Sequence, residues 1–181
     1  MRKLALCFVL MASPALATEL QIQVEGEANG TITIDLLEDV APAHVEQIVS
    51  LAEAGAYDNV VFHRVIDRFM AQTGDVEFGR MGMDMRMAGR GGSDRPDLPA
   101  EFSDEPFDRG VVGMARTADP NSANSQFFIM FGPAPHLNGQ YTVVGRVTDG
   151  MDVVDAIKRG SGRNGEVSGQ PDVMTRVTVT E

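Results

Sequence analysis

From residue 20 onward apolar and polar residues alternate. Leu20, Ile22 and Val24 interleave with Gln21, Gln23 and Glu25, a period of two that marks a strand with one buried face. Asn29-Gly30 supplies a turn, and Ile32, Ile34 and Leu36 then alternate with Thr31, Thr33 and Asp35. The segment predicts a β-hairpin with a slightly long loop. After Pro42 the period changes. Val45, Ile48, Val49 and Ala52 share one helical face, Pro42 opens the helix and Gly55 ends it. A shorter helix is predicted over residues 151–159, with Val153, Val154 and Ile157 inward, Lys158 and Arg159 in its last turn and Gly160 as its stop. Strand-like runs occupy residues 60–66, 70–73, 111–115, 126–130, 141–147 and 175–180. With the hairpin they make about eight strands against two helices, which predicts a mainly β sandwich or barrel. A barrel of that size fills its interior with its own side chains, so a binding site is expected on its outer wall. Residues 74–106, rich in Gly, Asp, Arg and Met, read as surface loop.

The first seventeen residues break this pattern. Arg2 and Lys3 precede an apolar run over residues 4–12, and Ala15-Leu16-Ala17 follows Ser13-Pro14. A basic start, a short apolar core and an A-x-A ending predict a secretory signal peptide cleaved after Ala17, leaving one domain over residues 18–181. The run falls short of the roughly 20 residues a spanning helix needs. Cys7 is the only cysteine, so the mature chain has no thiol for a disulfide, a nucleophile or a zinc site. Losing Arg2 and Lys3 from 15 basic residues leaves 13 against 26 acidic and takes the net charge from -11 to -13. That balance argues against nucleic acid or an anionic membrane as partner. A periplasmic or secreted monomer is expected.

Two segments carry the candidate chemistry, Phe62-His63-Arg64 and Ser125-Gln126-Phe127-Phe128. Each sets a polar residue, Arg64 or Gln126, among apolar ones in a predicted strand. Alternation puts Gln126, Phe128 and Met130 on one face and Phe127 and Ile129 on the other. With the second set filling the barrel, the first faces outward; Met70 and Gln72 share a face in the same way, with Phe69 at the preceding bend. An arginine and a glutamine beside Phe69, Met70, Phe128 and Leu137 suit a ligand with an apolar ring and a peptide carbonyl, which describes a prolyl peptide.

Phe62-His63-Arg64-Val65-Ile66, Phe69-Met70-Ala71-Gln72, Gly113-Met114-Ala115, Ser125-Gln126-Phe127-Phe128-Ile129 and Leu137-Asn138-Gly139 together resemble the signature of the cyclophilins, especially secreted bacterial members. The resemblance spans roughly residues 20–180. It implies a closed eight-stranded antiparallel β-barrel capped by two α-helices. It also implies peptidyl-prolyl cis-trans isomerase activity, without cofactor or metal, on proline-containing peptides and unfolded exported proteins. Arg64 and Gln126 are the implied catalytic residues. His63, Phe69, Met70, Gln72, Ala115, Phe128, His136, Leu137 and Tyr141 are the implied substrate-binding ones. His136 stands where well-known members carry a tryptophan that contacts cyclosporin, which implies weak binding of that drug. Tyr141 replaces a histidine, and Arg116-Thr117 an Asn-Ala pair along the peptide path; both changes imply an altered peptide preference.

The chemistry is coherent without the resemblance. Amide resonance sets a barrier of about 18–20 kcal/mol to rotation about an Xaa-Pro bond. In the twisted transition state the prolyl nitrogen regains a lone pair, and a donor aimed there bonds that state better than the planar one. Arg64 suits the task because it stays charged and forks its donors. A ~10⁵-fold acceleration needs about 7 kcal/mol. The rival from another class is a non-catalytic proline-peptide-binding module or holdase chaperone on the same barrel. His63, next to Arg64 in a strand, is expected to face the other way. The three histidines, His44, His63 and His136, show no metal-ligand spacing. Met81, Met83, Met85 and Met87 alternate, so an extended segment would line up four thioethers that suit Cu(I). A flexible apolar lip for unfolded clients is the preferred reading of that loop.

Overall fold

The computed structural model describes residues 18–161 and 164–181. The signal-peptide expectation for residues 1–17 lies outside them. Strand β1 (Glu19–Glu25) pairs antiparallel with β2 (Gly30–Leu36), setting Leu20 opposite Ile34 and Ile22 opposite Ile32. All four are at most 2% exposed, as their alternation requires. Helix α1 (Pro42–Glu53) starts on its proline without a side-chain cap of its own. The carboxylate of Glu101 accepts from the N–H groups of Ala43 and His44 instead, at 3.3 and 3.2 Å. Val45, Ile48, Leu51 and Ala52 of α1 join the main core.

Seven further strands follow: β3 (Val60–Val61), β4 (Arg64–Ile66), β5 (Met70–Thr73), β6 (Val111–Met114), β7 (Phe127–Met130), β8 (Val143–Asp149) and β9 (Val173–Thr180). All nine belong to one sheet in the order β3-β9-β1-β2-β8-β6-β7-β5-β4, with every neighbouring pair antiparallel. This corrects the expectation of a closed eight-stranded barrel. The run over residues 60–66 is two strands, because the backbone between them bonds elsewhere. Phe62 N–H donates to Asp172 O (2.9 Å) and Val167 N–H to His63 O (3.0 Å). No ladder joins β3 to β4. The two ends of the order are nonetheless consecutive in the chain, parted only by Phe62 and His63.

Helix α2 (Met151–Ala156) is shorter than expected. Ile157 turns to an extended ψ of 131°, and the Lys158 N–H goes to the Asp172 carboxylate at 2.6 Å. Lys158 and Arg159 therefore lie past the helix. Tyr141 precedes β8, and Gln126 sits just before β7.

Two apolar clusters share the sheet. The larger takes one face of each strand, including Ile22, Ile34, Val65, Ala71, Phe127 and Ile129, and adds Phe62 from between β3 and β4. The smaller occupies the opposite face of β5, β6 and β7, with Met70, Phe107, Val111, Phe128, Met130 and Leu137. The outward face predicted for Phe128 and Met130 thus has its own cover, supplied by Phe107 and the 3-10 turn Pro135–Leu137. Among the described residues no helix is long and apolar enough to cross a membrane.

Candidate functional site

Strand pairing assembles the site as a row across four strands. Arg64 of β4 lies opposite Gln72 of β5, Gln72 opposite Phe128 of β7, and Phe128 opposite Gly113 of β6. Period-two alternation sends Val65, Ala71 and Phe127 into the main core, so the row faces the other way. Gly113 is where a side chain could not fit. A Cβ there would stand 2.6 Å from Phe107 and 2.7 Å from Phe128. Its absence lets Phe107 stack on Phe128, with centroids 5.8 Å apart and planes at 22°. Tyr141 meets Phe128 edge-on at 5.8 Å.

These rings form one wall of a cavity of about 150 Å³ that also takes in Phe69, Met70, Ala115 and Leu137. Its polar side is Arg64 with Gln72, and Arg116 closes its rim. Eight of the expected site residues therefore meet here: Arg64, Phe69, Met70, Gln72, Ala115, Phe128, Leu137 and Tyr141.

Arg64 is half-buried and held on two sides. Its Nε donates to Asn164 O at 2.8 Å and its Nη1 to Gln72 Oε1 at 3.0 Å. Among the described residues Nη2 has no hydrogen-bond partner, so that edge is left for a ligand. Burial lowers its pKa from the ordinary arginine value, yet a guanidinium stays charged over the whole working range.

The amides behind Arg64 form a chain with one direction. Gln126 Nε2 donates to Gly91 O at 2.7 Å, which turns its Oε1 toward Gln72 Nε2 at 2.9 Å. That bond in turn presents Gln72 Oε1 to Arg64. Because Gly91 offers only a carbonyl, both amide orientations follow from that end. The Gly91 loop is tied to Asp75, whose buried carboxylate accepts N–H groups from Glu77, Phe78, Gly89 and Gly91 at 2.7–3.1 Å.

Three expected residues stand outside the cavity. Gln126 lines a neighbouring cavity of about 130 Å³ together with Gln72, Arg90 and Arg116. His136 is exposed and stacks on Phe69 at 5.8 Å. His63 does not line Arg64's cavity of about 150 Å³; it borders an adjoining cleft with Gly89 and Val167, which Arg64 and Gln72 also line. His63 is 8% exposed, and neither ring nitrogen has a partner. Burial lowers its pKa to about 4, against the pull of the Asp75 carboxylate.

Asp75, Gly91 and Phe107 were not singled out from sequence. Phe107 follows Pro106 directly, where a break from loop to apolar residue was the available signal. The Met81–Met87 segment is not extended. Met83 N–H bonds to Arg80 O and Met87 N–H to Asp84 O, so the chain turns and strand-like alignment of the four thioethers is lost. Among the described residues no group of three or more His, Cys, Asp or Glu could hold a metal ion.

Comparison with known proteins gives consistent relationships. The family model "Cyclophilin type peptidyl-prolyl cis-trans isomerase/CLD" matches residues 20–179. A probable peptidyl-prolyl cis-trans isomerase of Brucella suis is 60% identical over 154 residues, covering 83% of this chain and 78% of that one. A peptidyl-prolyl cis-trans isomerase-like 1 protein of Aspergillus fumigatus is 39% identical over 131 residues, 69% of this chain and 74% of the relative. Among solved structures, a Cryptosporidium parvum cyclophilin has a TM-score of 0.75 at 23% identity, covering 92% of this chain and 99% of its own. That protein has also been crystallised in the presence of the dipeptide Ala-Pro. A cyclophilin of Hirschia baltica gives a TM-score of 0.70 at 25% identity, over 88% of this chain and 73% of its own. The matched model spans nearly all of residues 18–181 and contains every residue of the site row, so this chain belongs to the cyclophilin-type peptidyl-prolyl cis-trans isomerases.

Proposed function

We propose that this isomerase acts with Arg64 as its catalytic residue, on proline-containing segments of exported proteins. The observation that carries the assignment is the Nη2 edge of a fixed guanidinium, unclaimed among the described residues, at a cavity of about 150 Å³ walled by Phe69, Met70, Phe128 and Leu137. The prolyl ring sits among Phe69, Met70, Phe128 and Leu137, and Arg64 donates toward the prolyl nitrogen as the bond twists. In the planar amide that nitrogen is a poor acceptor. The bond to Arg64 therefore strengthens on the way to the transition state, which is the condition for raising the rate rather than only the affinity. Gln72 and Gln126 hold the guanidinium in place, so little reorganisation is needed at the moment of reaction. The second hydrogen of Gln126 Nε2 is available for the carbonyl beside the bond. Ala115, Tyr141 and His136 complete the peptide path, and His63 contributes to substrate binding from the adjoining cleft that Arg64 and Gln72 also line.

Removal of residues 1–17 and release beyond the cytoplasmic membrane complete the reading, supported by the basic, apolar and A-x-A sequence of that segment. The test is refolding of a protein whose slow phase is proline isomerisation. The mature chain is expected to accelerate that phase catalytically, and Arg64→Ala to abolish most of the acceleration. Slowed or unchanged refolding with stoichiometric complex formation would mark a holdase instead.

A further inference from the structure

The cavity beside the proline pocket differs in charge from the rest of the molecule. The chain has 26 Asp and Glu against 15 Lys and Arg, yet this cavity is lined by Arg90 and Arg116 and by no carboxylate. Its other polar side chains, Gln72, Thr117, Asn124 and Gln126 among them, are neutral. Three carboxylates bond to residues at or beside its lining. The buried Asp75 accepts from the Gly89 and Gly91 N–H groups at 2.7 and 3.1 Å. Asp97 accepts from Asn124 Nδ2 at 3.0 Å and Asp119 from the Asn121 N–H at 2.9 Å. Among the described residues neither Arg90 nor Arg116 forms an ion pair.

Arg116 is fixed without being neutralised. Its Nε and Nη2 donate to Gln140 O at 3.2 and 2.9 Å, and its Nη1 to Thr117 O at 2.9 Å. The guanidinium lies 4.3 Å from the Tyr141 ring centroid. Carbonyls and a ring face restrict the side chain and leave its charge and two of its five N–H donors free. A ligand that used them would not have to order this side chain first.

We infer that this isomerase prefers prolines with Asp or Glu two positions upstream, whose carboxylate is received between Arg116 and Arg90. The inference rests on the proposed seating of the prolyl ring beside Arg64. Gln72, Ala115 and Arg116 line both cavities, while Gln126 lines only the second. A carbonyl before the proline that turns to Gln126 carries the upstream chain over the second cavity. A carboxylate there meets two arginines, and none of the residues that line the cavity is acidic.

The test compares two peptides, Ala-Glu-Ala-Pro-Phe-Ala and its Gln counterpart, by NMR exchange and by titration. The Glu peptide is expected to show about fivefold higher kcat/KM at low ionic strength, the gap closing as salt rises. Arg90→Gln, on an exposed side chain, and Arg116→Gln are each expected to shrink the gap. Arg146→Gln, which removes an equal charge from β8, is expected to keep it. Equal rates for the two peptides, both fast, would overturn the inference and leave the isomerase assignment standing. A gain only when Glu follows the proline would also overturn it. If neither peptide is accelerated, the catalytic assignment fails and titration decides. Tighter binding of the Glu peptide, lost in Arg116→Gln, would uphold the acidic preference, and equal binding would end it.

Discussion

Arg64 has one edge committed to the protein and, among the described residues, one left open, and that division decides what substitutions there do. Arg64→Ala removes the donor while leaving the apolar walls, so kcat/KM is expected to fall by about 10²–10³-fold, chiefly through kcat, a loss typical of one preorganised donor. Arg64→Lys retains charge without the fork that reaches Asn164, Gln72 and a ligand together, and recovers little. His63 answers to pH in a different way. Its folded pKa of about 4 lies below its ordinary 6.5, so the fold prefers the neutral ring. The stability this brings is complete above pH 6.5 and is lost as pH falls toward 4, by at most about 3 kcal/mol. Urea midpoints at pH 7 and pH 4.5 are expected to differ less in His63→Gln than in the parent protein. That Arg64, Gln72 and Phe128 share one face was legible in sequence, because period-two alternation in short strands sends their neighbours to the other face. Asp75 was hidden, because a buried carboxylate that serves four backbone N–H groups has no local sequence signature.

At the scale of elements, the site depends on two features that side-chain chemistry alone does not reveal. One is Gly113 in β6. Gly113→Ala forces a methyl against Phe107 and Phe128, which costs about 1–3 kcal/mol as overpacking and displaces the ring that walls the proline cavity. KM is expected to rise and Tm to fall together in that variant. The other is the loop after β5. Asp75→Ala leaves four N–H groups without their acceptor, at about 1–3 kcal/mol for each that stays buried. Faster amide hydrogen exchange at Gly89 and Gly91 is expected, with reduced kcat/KM because Gly91 sets the orientation of Gln126. Unchanged protection at those glycines would show that the loop holds itself. Element types were readable from periodicity, hairpin and α1 most cleanly. Boundaries failed where a backbone group found a distant partner. Phe62 and His63 bond to residues 167–172, and Lys158 to Asp172, so one expected strand became two and α2 ended early.

At the largest scale, the nine-stranded sheet of the described residues sets Arg64, Gln72, Phe128 and Gly113 side by side from four separate stretches of chain. Pairing of this kind is long-range, so the row shows only in the register and not in the periodicity of any one strand. The open sheet order was beyond sequence reasoning, since a run of seven strand-forming residues gives no sign that its middle will pair elsewhere. Export is tested on the same scale. The mature protein is expected to begin at Thr18 by intact mass, and a soluble product that retains residues 1–17 would contradict the leader assignment. The central claim, that Arg64 drives rotation about the prolyl bond, is tested most directly by NMR exchange spectroscopy on a short Xaa-Pro peptide. The comparison is between the mature protein and a folded Arg64→Ala variant. Fast exchange in the first, falling by two orders of magnitude or more in the second while the peptide still binds, is the predicted result. Equal exchange rates in the two proteins would contradict it.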